Sequence, residues 1–172
     1  METMTSQQVD TVDCAKLIRR DLQQHFPGIK FSVRSSRYSG GSSVRVKWLD
    51  GPTAKQVEAI AQRREGATFD GMQDLKEYHD DMVLTTDGQM VAVHYGADFV
   101  FCNRDYSNYD GMRDTLARRV WASYGPLADR PFNLLSWPQE RIGGDWMDSF
   151  VGRILARTDL RTQSVTTVEI WQ

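Results

Sequence analysis

The chain has 172 residues, 40% of them hydrophobic and 26% charged. It is long enough to bury a sizeable core and too ordinary in composition for bulk disorder. A formal net charge of −2 argues against a protein that coats nucleic acid indiscriminately, because such binding scales with the phosphates neutralised. No apolar run reaches the roughly eighteen residues of a transmembrane helix, and METMTSQQVD lacks the basic and apolar regions of a secretory signal. Two cysteines, Cys14 and Cys102, with no CxxC pair, are too few for a disulfide scaffold. A reducing cytoplasm is therefore the expected location.

Residues 1–9 read as a flexible leader. From Thr11 to His25 the apolar residues Cys14, Ile18 and Leu22 recur every fourth position, continued by Phe26, which predicts an amphipathic helix stopped by Pro27-Gly28. The stretch KFSVRSSRYSGGSSVRVKW follows, from Lys30 to Trp48. Phe31 and Val33 alternate with Ser32 and Arg34, and Val44, Val46 and Trp48 alternate with Arg45 and Lys47. This period of two predicts two half-buried strands joined by a polar loop from Ser35 to Ser43. Between Gly28 and Trp48 there are five cations (Lys30, Arg34, Arg37, Arg45, Lys47) and no carboxylate. With the apolar residues facing a core, Arg34, Arg45 and Lys47 share the opposite face.

Asp50-Gly51-Pro52 predicts a turn, and Thr53-Ala54-Lys55-Gln56 has the form of a capping box. Val57, Ile60 and Ala61 supply the stripe of the helix that follows, with Gly66 as its expected C-cap. From Glu65 to Asp87 seven carboxylates face one Lys76, so a basic hairpin is followed directly by an acidic segment. Asp87-Gly88 predicts a type I′ hairpin turn, and Val91, Val93, Tyr95 and then Phe99–Cys102 predict further strands.

FPGIKFSVRSSRYSGGSSVRVKWLDGPT, GATFDGMQDLKEY and VHYGADFVFCNRDYS resemble a family found in bacteriophages and conjugative elements. It is the twenty-ninth of the large polyvalent protein-associated domains. The resemblance covers roughly residues 26–106 and implies an accessory of invading DNA, acting in the cytoplasm of a bacterial host. It carries over no catalytic residues. The implied division is a leader (1–9), a family-like core (10–106) and a C-terminal extension (107–172).

In that extension Met112, Leu116, Val120 and Tyr124 mark a helix stopped by Gly125-Pro126. Residues 126–144 read as a linker or an ordered loop, in which Trp137 is the candidate for an exposed partner anchor. Asp145 is expected to cap a last helix with Phe150, Val151, Ile154 and Leu155 on its apolar stripe. Val165–Trp171 reads as a closing strand. The expected fold is α+β, with one mostly antiparallel sheet of roughly three to six strands and three or four helices packed mainly on one face.

No GxSxG, GxxxxGK[ST] or GxGxxG occurs, so no catalytic residue or cofactor is assigned. His79-Asp80-Asp81 has no second histidine or cysteine at metal-ligand spacing, so no metal is assigned either. Cys102, after Val100 and Phe101, reads as a buried thiol rather than a nucleophile. The binding candidates are Arg34, Arg37, Tyr38, Arg45 and Lys47 on the basic hairpin, Asp70 and Asp74 on the acidic segment, and Trp137. The first reading is a non-enzymatic accessory that binds and inhibits a host defence protein or ribonucleoprotein, of anti-CRISPR or anti-restriction type. The alternative is a DNA- or RNA-binding module acting through the basic hairpin, with Tyr38 stacking on a base. The competing bland readings are a solvated strand face and an ordinary charged helix and turn.

Overall fold

The computed structural model describes residues 6–70, 72 and 75–171. They form an α+β protein of two compact units. The first comprises the residues up to Trp48 with Lys55–Arg104, the second Leu49–Ala54 with the residues from Asp105 onward. The strands fall into several small sheets rather than the single sheet expected. No helix among the described residues is long and apolar enough to cross a membrane.

The first unit opens with β1 (Ser6–Val9), within the stretch expected to be a leader. β1 becomes a strand because it runs parallel to β7 (Met90–Tyr95), and the Gly96 N–H donates to the Val9 carbonyl at 2.7 Å. α1 (Thr11–His25) follows as the periodicity predicts. Asp10 caps it, accepting from the N–H groups of Val12 and Asp13 at 2.7 and 3.0 Å, and Cys14, Ala15, Ile18 and Leu22 form its buried stripe.

β2 (Ser32–Tyr38) and β3 (Gly41–Leu49) pair antiparallel, with Val33 opposite Val46, Arg34 opposite Arg45 and Tyr38 opposite Gly41. The expected loop from Ser35 to Ser43 is thus mostly strand, and only Ser39 and Gly40 turn the chain. β8 (Phe99–Asp105) lies on the far side of β3, giving the order β2-β3-β8. Beneath this sheet Val33, Val44, Val46, Trp48 and Val100 are buried with the α1 stripe and with Val57, Ile60 and Ala61 of α2 (Ala54–Ala61).

α2 gives way to a 3₁₀ turn, Gln62–Arg64, so Gly66 is not its C-cap. Gly66 is instead a point of close backbone approach. Its N–H donates to the Ala97 carbonyl at 2.8 Å, its own carbonyl accepts from the His79 N–H at 3.1 Å, and a Cβ there would run into the Tyr95 carbonyl. Gly66→Ala is expected to destabilise this unit by about 1–3 kcal/mol, the cost of overpacking, because the obstacle is backbone and cannot rotate away. A urea unfolding curve reads this directly.

The acidic segment folds into hairpins, not a charged helix. β4 (Ala67–Asp70) pairs with β5 (Leu75–Tyr78), and β6 (Asp81–Leu84) pairs with β7 in the order β1-β7-β6. The β6–β7 turn departs from type I′. Of the Asp87-Gly88 pair only Gly88 has positive φ (82°). The Thr85 N–H donates to the Gln89 carbonyl at 2.8 Å and the Gly88 N–H to the Thr85 carbonyl at 3.0 Å. That is a three-residue loop closed by a left-handed glycine.

The second unit packs α3 (Tyr109–Ser123) against α5 (Met147–Arg157), with the short α4 (Gly125–Ala128) and a small hairpin of β9 (Arg141–Ile142) and β10 (Asp145–Trp146) between them. Leu116, Val120 and Trp121 of α3 meet Val151, Ile154 and Leu155 of α5 in its core. Asp145 does not cap α5, because its carboxylate is taken by Arg153. No closing strand forms over Val165–Trp171. The Ser164 carbonyl accepts from the N–H groups of Thr167 and Val168, and Arg119 donates to the carbonyls of Val165 and Val168 at 2.7 and 2.8 Å. With those acceptors occupied there is no ladder to extend, and the β-branched run instead delivers Val168 and Ile170 to the core.

Candidate nucleic-acid interface

The outer face of the β2–β3 pair is built by alternation. Ser32, Arg34, Ser36 and Tyr38 on β2 stand opposite Lys47, Arg45, Ser43 and Gly41 on β3. Ser32, Arg34, Ser35, Ser36 and Tyr38 of β2 and Ser43, Arg45 and Lys47 of β3 line a concave surface of about 580 Å³. Arg34 and Arg45 sit directly across from each other, a like-charge pairing that disfavours the sheet. No carboxylate among the described residues forms an ion pair with Arg34, Arg45 or Lys47. By contrast, Arg64 in the same unit pairs with Asp21 at 2.9 Å and Arg19 donates to the Val33 carbonyl at 2.6 Å. The three cations of this face thus stand without a direct ion pair among the described residues.

Arg37 does not belong to it. Its position in β2 sends it to the other side, where Nε donates to Thr11 Oγ1 at 3.4 Å and the guanidinium meets Asp10 at 3.5 Å. Arg37 ties the hairpin to the start of α1.

The end of the hairpin nearest its turn is pinned by Asp98. Its buried carboxylate accepts from the Ser42 N–H at 2.7 Å and from Lys76 Nζ at 2.5 Å. In return the Asp98 N–H donates to Ser42 Oγ at 3.1 Å, and that hydroxyl donates to the Gly96 carbonyl at 2.6 Å. Gly41 is required here, since its φ is +149° and a Cβ would run into the Asp98 carboxylate. Burial opposes the charged form of Lys76, but the Asp98 hydrogen bond, helped by Tyr78, holds its pKa above the ordinary lysine value. Its ammonium also lies 4.7 Å from the Tyr78 ring centroid and 5.5 Å from that of Phe99. Sequence reading missed Asp98. The available signal was Lys76, the lone cation of an acidic run.

β8 adds two residues that sequence reading also passed over. Phe101 and Asn103 are exposed, alternating with buried Val100 and half-buried Cys102. Phe101 leaves 49% of its surface in solvent and Tyr38 leaves 50%. Phe101, Asn103, Gln62 and Glu58 line a second concavity of about 390 Å³, and Arg45 lines both. Burial, reinforced by the charges of Glu58 and Glu65, pushes the Cys102 thiol up to about 12, which rules out a ready thiolate. Cys102 is expected to resist iodoacetamide at pH 8 until the chain is unfolded in urea, as followed by mass spectrometry.

On the acidic segment, Asp70 closes β4 opposite Leu75, and Asp74 lies outside the described residues. His94 contacts Asp80, Nδ1 to Oδ1, at 3.0 Å and lies against the Tyr78 ring. Trp137 is not an exposed anchor. It opens a 3₁₀ turn, Trp137–Gln139, that drops its ring into the core of the second unit, where it is 2% exposed. Its indole N–H donates to Asp114 at 3.0 Å, and the Arg113 guanidinium lies 5.3 Å from its ring centroid.

No curated protein and no solved structure matches this chain. The model of large polyvalent protein associated domain 29 matches residues 9–107. That span contains the hairpin, the pinning aspartate and the exposed aromatic residues, and it makes up more than half of the chain. The chain belongs to this family of phage- and mobile-element-associated domains.

Proposed function

We propose that this protein is a non-enzymatic accessory of a phage or plasmid, acting in the cytoplasm of the bacterial host, that binds nucleic acid through the outer face of β2, β3 and β8. One observation carries the reading: Arg34, Arg45 and Lys47 lie together on one concave surface without a carboxylate partner among the described residues. An exposed cation that gains little from its own fold is free to release counterions from a phosphate backbone. Exposed Ser32 and Ser36, on either side of Arg34, add hydroxyl donors for phosphate oxygens. The test is a fluorescence-anisotropy titration of the full chain against labelled oligonucleotides at several salt concentrations. The reading expects the logarithm of affinity to fall linearly with the logarithm of salt concentration. No binding at low salt would remove it.

A second reading, inhibition of a host defence complex, draws on a different surface. Met82, Leu84 and Met90 are exposed on the β6–β7 hairpin, Leu84 directly opposite Met90, with exposed carboxylates at Asp80 and Asp87. An exposed apolar patch rimmed by charge is the usual form of a protein contact. Pull-down from a bacterial host with nuclease present separates the two readings. A stoichiometric protein that survives nuclease and is lost in the Leu84→Lys variant supports inhibition. Recovery of nucleic acid alone, vanishing with nuclease, removes it.

A further inference from the structure

We infer that the ligand of the basic face is a single-stranded nucleic acid, laid along the sheet with its bases stacked on Tyr38 and Phe101. The inference rests on the nucleic-acid reading and deepens it. Four cross-strand rows run along the face: Tyr38 with Gly41, Ser36 with Ser43, Arg34 with Arg45, and Ser32 with Lys47. Successive rows are two residues apart, so they lie about 6.7 Å from one another. That repeat is comparable to the spacing of successive phosphates in an extended strand. The cation rows and the serine row thus form a track at nucleotide intervals, with Tyr38 at the end nearest the hairpin turn.

Phe101 supplies a second ring across the sheet. It is exposed on β8, and Phe99 lies beside it at 6.2 Å between ring centroids, tilted by 32°. Arg45 belongs to the linings of both concavities, so it stands between the ring of Phe101 and the serine-lined track. Cations flanked by exposed aromatic rings are what an unpaired strand needs, because its bases are free to stack while its phosphates are neutralised. A duplex offers no such faces, and its major groove admits a helix or a two-stranded ribbon. Here the hairpin is widened to three strands by β8, so it presents a platform instead of a probe. Glu58 lines the same concavity as Arg45, Phe101 and Asn103, so one carboxylate stands on the β8 side of the platform.

The experiment measures anisotropy of the full chain with four labelled probes. Three are oligothymidylate of about 16 nucleotides, the matching oligouridylate and a duplex of the same length. The fourth is an abasic strand carrying the same phosphates. The inference expects both single strands to bind more tightly than the duplex, and the difference between them names the preferred sugar. Tyr38→Ala and Phe101→Ala should each weaken single-strand binding roughly 5- to 100-fold without changing its salt slope. Tyr38→Phe and Phe101→Tyr, which keep the rings, should restore it. The abasic strand should bind the wild type no better than oligothymidylate binds the Tyr38→Ala/Phe101→Ala double variant. Equal affinity for duplex and single strand would overturn the inference. So would loss of binding in the Arg34→Glu/Arg45→Glu/Lys47→Glu variant alongside indifference to the aromatic changes. Either result leaves the nucleic-acid reading standing. If no probe binds, or if the triple variant binds normally, the underlying reading itself falls.

Discussion

Replacing Arg34, Arg45 and Lys47 together by glutamate is expected to cut nucleic-acid affinity on the order of 100-fold at moderate salt. The change amounts to two elementary charges per residue, each worth about 0.5 kcal/mol at an exposed site. The salt dependence is the more specific readout. Losing three phosphate contacts on a single strand should lower the slope of log affinity against log salt by about 2. All three side chains are exposed on a sheet face whose opposite side carries the core, so the variant should fold and unfold as the wild type does. Arg37 supplies the internal control. Its guanidinium is held by Asp10 and Thr11 on the other side of β2, so Arg37→Gln should leave the slope unchanged, whereas Arg45→Gln should lower it by about 0.7. Equal effects of the two would mean that binding follows net charge and not this face.

Asp98→Ala is expected to cost the first unit roughly 1.5–3 kcal/mol, the loss of charge-assisted hydrogen bonds made by a buried carboxylate. The substitution removes the acceptor of both the Lys76 ammonium and the Ser42 N–H. Urea unfolding should show a lower midpoint for this unit. The pH dependence identifies the cause. Lys76 is held above the ordinary lysine pKa in the folded protein, so the native state keeps its proton longer than the unfolded chain does. The resulting stabilisation is complete below the unfolded lysine value of about 10.4 and is lost as pH rises through the folded one. The wild type should therefore lose stability on the alkaline side, and Asp98→Ala should lose little more there, having no pair left to break. An identical alkaline slope in both proteins would show that the Lys76–Asp98 contact does not carry this stability.

Parts of the architecture were readable residue by residue. α1 follows from apolar residues every fourth position, Asp10 before them and Pro27-Gly28 after them. The placing of Arg34, Arg45 and Lys47 on one exposed face follows from alternation around Val33, Val44, Val46 and Trp48. In both cases the signal lies within one turn or one pleat, where hydrogen bonding and side-chain direction are local. The family resemblance came from stretches of the same region and was likewise a property of the sequence.

Other parts were not readable, and each has a long-range cause. Ser6–Val9 is a strand because β7, more than eighty positions later, offers it an edge. The run from Ser35 to Ser43, which reads as a polar loop, stays in register because Asp98 holds Ser42 across a separation of 56 residues. Trp137 sits in a proline-bounded segment like an exposed anchor, yet α3 and α5 give it a pocket and Asp114 takes its N–H. The closing strand fails because Arg119 occupies its acceptors. Apolar faces, charged faces and the limits of the first helix are thus local properties, since period and capping act over a few residues. Which charges stay unpaired, which loops become strands and which aromatic rings reach solvent depend instead on partners brought together only when the chain folds.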